Sequence, residues 1–376
     1  MAFKVNYPYH NHMDVLPTPL RLGAHPDFTG RGVVMAFLDS GFSMHPDIAA
    51  RVRLHVDAST RDIVEQPKVI KTDMLSWHGQ MTSVIAAGNG HNSNGKYRGL
   101  ASGADLVLIR VGTPAGEVKE KDILRGLQWL VKHHREHNIR IVNISVGGDF
   151  VSNNPHHPIH ADIRLLVEQG VTVLVAAGNS GLPNLVPPAS SAAAITVGGY
   201  DDHNSLDRSL WKLYHHNYGT AYDHSHKPEL ITTAAWIASP ILPDSTMERE
   251  ARWLAPLLSD TRLGWQRLLE GGFEDIEDID TDETTEHLHA AIQARINRYK
   301  LIDDKHQHVD GTSVSVAIAA SVVAQMLEAN PKLTPNQIRT ILTSTAKPLP
   351  NTPHERQGAG VLDAARAVIV AMKDFQ

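Results

Sequence analysis

Four short stretches of the chain carry residues whose types could do chemistry. In HVDGTSVSVAIAAS (308–321) a polar, Gly-containing turn runs into a small-residue segment that reads as the start of a buried helix, with Ser313 at the junction. A hydroxyl there meets the unpaired N–H groups of a helix N-terminus. It can act as an N-cap, a position that favours Ser and Thr through hydrogen bonding alone, or as a nucleophile on a tight turn. LDSG places Asp39 at the end of an apolar run, WHGQMTSVIAAG places His78 at the start of a small-residue helix, and VAAGNSG places Asn179 on a Gly-flanked turn. Singly, each has an ordinary use: a turn or cap for Asp39, a satisfied partly buried ring for His78, a turn for Asn179. Context has to decide.

The order Asp39, His78, Ser313, with Asn179 between His78 and Ser313, resembles that of the subtilisin-like serine peptidases. NISVGG (143–148) is similar to that family's Asn-x-Ser-x-Gly-Gly strand, HKPELITTA (226–234) to its Lys-Pro-Glu-Leu segment, and GAGVLDAARAV (358–368) to its closing segment. These landmarks cover roughly 30–240 and 308–370 and occur in the family's order. The resemblance implies serine endopeptidase chemistry. Ser needs an adjacent base, so His78 would take the Ser313 proton and return it to the leaving amine. Asp39 would hold the imidazole tautomer and stabilise the imidazolium. Asn179 would donate its amide to the oxyanion, together with the Ser313 N–H.

The resemblance also implies a peptide site. Ser145, Val146, Gly147 and Gly148 would offer backbone to an extended substrate. Gly112, within the run 112–116, would form the facing edge, and Gly147 with Ala176, Ala177 and Gly178 would line a primary pocket for a sizeable apolar P1 side chain. Several positions depart from the family pattern: Gln80 replaces the Thr after His-Gly, Val314 and Ala317 replace the Met and Pro after Ser, and Thr233-Ala234-Ala235 replaces Ala-Pro-Gly. The chemistry requires no cofactor. A structural Ca2+, which many relatives hold, would find oxygen ligands in Asp47, Asn89, Asn92 and Asn94, although such loops are also ordinary Gly/Asn turns.

Other motifs are weaker. Ser315 and Ser321 fall inside the helix, where packing or back-bonding to a carbonyl is expected. GHNSNGKY (90–97) misses the phosphate-loop pattern at Tyr97 and follows a helix. HHREH (133–137) fits H-x-x-E-H, but it lies at the ragged end of an amphipathic helix beside Arg135, without an assigned third ligand, and reads as a solvated helix end. G-x-S-x-G is absent around Ser313 and only His354 follows it, which disfavours the Ser, acid, His order of α/β-hydrolases.

The elements that must position these residues alternate. GVVMAFLDSG, DLVLIRVG (105–112), IRIVNISVGG (139–148), VTVLVAAGN (171–179) and AITVGG (194–199) are short β-branched runs closed by Gly and read as buried strands. Helical stretches lie near 78–88, 119–137 and 159–169, with further helices at 313–329, 334–345 and about 361–373. The pattern predicts an α/β fold with a parallel sheet between helices, functional residues at strand carboxyl ends, and a helical insertion; the resemblance implies that this is the subtilisin-like three-layer arrangement. Composition marks 1–30 as an N-terminal extension, 31–239 with 309–376 as the peptidase domain, and 240–308 as a helical insertion holding the acidic block EDIEDIDTDE (274–283).

A net charge of −6 without a Lys/Arg run gives no case for nucleic acid. No apolar stretch is read as long enough to span a membrane. The N-terminus has no apolar h-region and begins with Met, and the chain has no Cys, so a cytoplasmic location is expected. The expected partner is a peptide or protein substrate, and a homo-oligomer is compatible with the chain. Only 38 residues precede Asp39, fewer than the long prodomain of secreted relatives. By resemblance to intracellular members, Asn6-Tyr7-Pro8-Tyr9 is expected to lie across the active site. Two alternatives stand beside hydrolysis: acyl transfer to an amine, which depends on water access, and a shielded scaffold that binds partners through 240–308.

Overall fold

The computed structural model describes residues 14–66, 72–113, 115–259, 261–279 and 285–373. They fall into two compact units, one of Leu16–Ser239 with Val309–Gln376 and one containing Pro240–His308.

The larger unit is built on strands β1 (Val34–Asp39), β2 (Val52–Asp57), β3 (Val64–Gln66), β4 (Asp105–Arg110), β5 (Ile139–Ile144), β6 (Thr172–Ala176), β7 (Ile195–Asp201) and β8 (Lys212–Leu213). β9 (Gly219–Thr220) and β10 (His226–Lys227) form a separate hairpin, and β11 (Leu230–Thr233) completes the main sheet. The sheet runs β11-β7-β6-β5-β1-β4-β2-β3, with β8 on β7. Pairing is parallel except at β2–β3 and β7–β8. Leu38 pairs with Ile144 on one side of β1, and Asp39 with Arg110 on the other. β1 therefore lies where successive strands turn from one direction across the sheet to the other, the place where α/β sheets open a crevice at their carboxyl ends.

Alternation along the strands divides the core between the sheet's two faces. From β1, Met35 and Phe37 join the cluster of the Ser76–Ala87 and Thr312–Ala329 helices, while Ala36 and Leu38 join that of the Glu120–His133 and Pro158–Glu168 helices. Burial on both faces explains why these strands read as continuous apolar runs. Thr312–Ala329 is long and apolar enough by composition to cross a membrane, contrary to the sequence reading, but it is buried inside the unit as its central helix. Val and Ala predominate there, which suits a helix packed on all sides.

Residues 16–30, grouped by composition with an N-terminal extension, belong to the larger unit. Arg21 is buried and donates to Asp202, to Thr233 Oγ1 and to the carbonyls of Ala235 and Trp236. Glu328 accepts the Thr29 and Gly30 N–H groups at 2.6 Å each. One charged group thus fixes the segment from each end.

Pro240–His308 has its own core, with Ile241, Leu254, Leu268, Ile292 and Ile296 buried together. Its helices include Thr246–Leu254, capped by Ser245, and Thr285–Tyr299. Buried Glu250 accepts from Arg295 at 2.6 and 2.7 Å, from Tyr299 Oη at 2.9 Å and from the Glu277 N–H at 3.0 Å. A carboxylate out of water needs this degree of pairing.

Candidate active site

Asp39 ends β1 and is fully buried. Its Oδ1 accepts from His78 Nδ1 at 2.6 Å and from the Ser40 N–H at 2.7 Å. Thr82 Oγ1 donates to Oδ2 at 3.0 Å. His78 opens the Ser76–Ala87 helix, and Thr82 lies four residues on, so both side chains share one face of that helix. A carboxylate can only accept, which assigns the His78 proton to Nδ1 and leaves Nε2 as the basic nitrogen. That nitrogen lies 3.1 Å from Ser313 Oγ. Burial lowers the imidazole pKa, but the Asp39 charge and its hydrogen bond raise it further, and the net direction is upward.

Ser313 is the second residue of the Thr312–Ala329 helix and sits in the first turn, where N–H groups have no intrahelical acceptor. Its hydroxyl also lies 3.3 Å from the Ser145 carbonyl. Gly311 precedes the helix at φ 141°, a backbone region that disfavours side chains, and a Cβ there would stand 3.4 Å from Asn179 Nδ2. The Asn179 amide oxygen accepts the Thr312 N–H and its hydroxyl, each at 2.9 Å. The backbone donor fixes the flip of the amide, so the nitrogen is the group left to donate. Thr312 Oγ1 also accepts the Gly178 N–H at 3.1 Å. One threonine therefore ties the turn after β6 to the helix that carries Ser313. Without the usual Pro at Ala317, the helix entry is held by the Gly311 N–H on the Ala234 carbonyl at 2.7 Å and by Asp310 accepting the Trp236 N–H at 3.1 Å.

Thr82 and Thr312 were not singled out in the sequence. Their signal was present, since each is a hydroxyl one helical turn or one residue from a candidate residue. Gln80 is buried and bonds to Ser43. Ser315 donates to the Thr233 carbonyl at 3.2 Å and Ser321 to the Ile318 carbonyl at 2.6 Å, so both competing serines are occupied within the core.

The substrate residues divide. Ser145 accepts from Asn143 Nδ2 at 2.9 Å, Val146 is half-buried and Gly147 is exposed. Gly148, expected to offer backbone, gives its N–H to the Pro187 carbonyl at 2.6 Å, because a loop passes directly behind it. Gly112, the expected facing edge, donates to the Ser40 carbonyl at 2.9 Å and accepts from Arg110 Nε at 3.0 Å, so both of its peptide groups serve the fold. Within the same edge, Thr113 donates to the Glu117 carbonyl in a local turn; Pro114 lies outside the described residues. Ala177 is buried, Ala176 and Gly178 are half-buried, and Gly178 needs its φ of 97°. Val186, unanticipated from the sequence, is half-exposed and places Cγ2 3.1 Å from where a Gly147 Cβ would stand. A side chain at position 147 would therefore crowd Val186.

The loop considered for Ca2+ uses its oxygens internally. Buried Asp47 accepts the Gly90 and Asn92 N–H groups at 3.1 and 3.2 Å, and Asn89 Oδ1 accepts the His91 N–H at 2.9 Å. Asn92 Nδ2 faces His45 Nε2 at 3.2 Å, and Asn94 supplies a left-handed turn at φ 51°. The Asp47 and Asn89 oxygens thus cap backbone amides of this loop. Asn6-Tyr7-Pro8-Tyr9 lies outside the described residues.

The subtilase family model matches residues 30–360. The chain is 26% identical to the serine protease AprX of Bacillus subtilis over 349 residues, covering 90% of this chain and 67% of that protein. It is 31% identical over 178 residues to subtilisin Savinase of Lederbergia lenta, covering 47% of this chain and 59% of that protein. The chain thus spans about two thirds or less of these relatives' own length. Among solved structures it resembles the protease domain of PatA, with TM-score 0.61, 17% identity, and 92% of this chain and 98% of that chain covered. A protease from Pseudoalteromonas arctica aligns with TM-score 0.62 and 20% identity over 97% of this chain and 96% of that one. At such identities the structural likenesses speak to the fold alone.

Proposed function

The chain belongs to the subtilase family of serine endopeptidases, and from that premise we propose that it hydrolyses peptide bonds through an acyl-enzyme on Ser313. The observation that carries the reading is His78 held between Asp39 at 2.6 Å and Ser313 at 3.1 Å. Ser313 Oγ attacks the scissile carbonyl carbon as its proton passes to His78 Nε2. Asp39 stabilises the imidazolium through Nδ1. The negative charge collects on the former carbonyl oxygen, facing the Asn179 amide nitrogen and the Ser313 N–H. Collapse expels the amine, which takes the proton from His78 and leaves the acyl group on Ser313. Water then repeats the sequence, with His78 again as base, and releases the acid.

The substrate lies extended along Ser145–Gly147, its P1 side chain between Gly147 and the 176–178 turn. Val186 favours a small apolar group there, in place of the sizeable one expected from the small walls alone. Steady-state hydrolysis of peptidyl amides tests the proposal. Ser313→Ala should lose activity by about a millionfold, a magnitude taken from subtilisin itself; an undiminished rate would refute it.

A further inference from the structure

None of the catalytic residues takes part in a second cluster, at the end of the Glu120–His133 helix. There His133, Glu136 and His137 each offer one ligand atom, and those atoms lie within 4.8 Å of one another. We propose that this cluster binds one divalent transition ion of the zinc class, held by two imidazoles and a carboxylate with water completing the shell.

The backbone brings the three together. His137 donates its N–H to the His133 carbonyl at 3.3 Å, which adds a turn beyond the helix proper and stacks residues 133 and 137 on one face. Glu136 shares the edge, with Oε2 3.2 Å from His133 Nδ1. A buried tryptophan aligns both rings. Trp129 is 4% exposed, donates its indole N–H to Glu65 at 2.8 Å, and stacks on His133 at 5.0 Å and 17° and on His137 at 5.5 Å and 19°. Rings already stacked lose less freedom when they bind an ion.

His137 Nε2 is shielded from solvent and has no hydrogen-bond partner, a state that buried polar atoms rarely keep. His134 stands apart, its Nδ1 3.1 Å from the Leu130 carbonyl. Tetrahedral Zn2+ with bonds of about 2.0–2.2 Å needs ligand atoms about 3.4 Å apart. Separations of up to 4.8 Å must therefore contract by as much as about 1.4 Å, while Glu136 Oε2 already lies 3.2 Å from His133 Nδ1. Two nitrogens and one oxygen suit Zn2+, Ni2+ or Cu2+ and disfavour Ca2+ and Mg2+. Lys132 and Arg135 are exposed, where water and salt screen them.

The test is Zn2+ titration of metal-stripped full-length protein against a chromophoric chelator, in a Ser313→Ala background to prevent self-cleavage. The expected result is one equivalent bound more tightly than any other. Its affinity should fall at least tenfold in His133→Gln and His137→Gln, fall less in Glu136→Gln, and stay unchanged in the exposed-site control His91→Gln. Glu136→Gln alters an exposed side chain, so it reports on the ion even if a histidine variant misfolds. The proposal is overturned if wild type shows no distinct equivalent, or if that equivalent survives undiminished in the cluster variants. Fluorophosphonate labelling of the same substitutions, made in the Ser313 chain, separates loss of the ion from loss of the active site.

Discussion

Thr82 donates its hydroxyl to Asp39 Oδ2 at 3.0 Å, while His78 and the Ser40 N–H occupy Oδ1. Both oxygens of a fully buried carboxylate are therefore held from fixed backbone elements: Oδ1 by the strand's own continuation and by His78, and Oδ2 by Thr82 of the helix that carries His78. The orientation of the imidazole is set by this clamp, since His78 itself is 29% exposed in its side chain.

Thr82→Val keeps the volume and removes the donor, leaving one Asp39 oxygen less satisfied. An unmade buried hydrogen bond costs about 1–3 kcal/mol, so kcat should fall about tenfold or more with KM little changed. Thr82→Ser should restore most of it. A Val variant with full kcat would show that the contact is incidental.

Asn179→Ala should lower kcat by about 10²–10³ with a small change in KM, a range set by the corresponding donor in subtilisin. Thr312→Val removes one of the two groups that fix the amide's flip and keeps the backbone N–H. Its loss should be measurable and smaller. Equal losses in the two variants would contradict this division of roles.

His78 must be neutral to accept a proton. Burial lowers its pKa, and the Asp39 charge and hydrogen bond more than offset that, leaving it above the ordinary 6.5. In kcat/KM profiles from about pH 5 to about pH 9, activity should fall with acidity through a midpoint above 6.5, and Asp39→Asn should move that midpoint down. The same shift links to stability: the charged ring's contribution is complete below 6.5 and is lost as pH rises through the folded value. A midpoint below 6.5 would contradict the upward shift that Asp39 imposes on His78.

Val186 stands against Gly147, where a P1 side chain would enter. Val186→Gly should raise the kcat/KM ratio of a Phe over an Ala P1 substrate by about tenfold or more, since pocket methyl groups discriminate by about 1–3 kcal/mol each. An unchanged ratio would place Val186 outside the pocket.

The parts legible in the sequence were those governed by local periodicity and short motifs. β1, β4, β5, β6 and β7 are buried on both faces and read as apolar runs, and Asn179 and Ser313 closely follow Gly178 and Gly311, whose positive φ a turn requires. β2 was missed because RVRLHVD interleaves charge with its apolar face, and β3 and β11 are too short for periodicity to show. The roles of Gly112, Gly148 and Val186 depend on which distant backbone passes behind each of them, which no local pattern encodes. Thr82 was legible in principle, one helical turn from His78, but its value depends on where Asp39 Oδ2 points. The oxygens of Asp47 and Asn89 were of the right type for a cation, and only their partners show them capping amides.

The most direct test of the account is mass-spectrometric labelling with a fluorophosphonate probe, on the wild-type chain and on Ser313→Ala. The assembled array of Asp39, His78 and Ser313 predicts a single adduct on Ser313, absent from the variant. A folded wild-type chain that takes no label, or one labelled equally after Ser313→Ala, would contradict it.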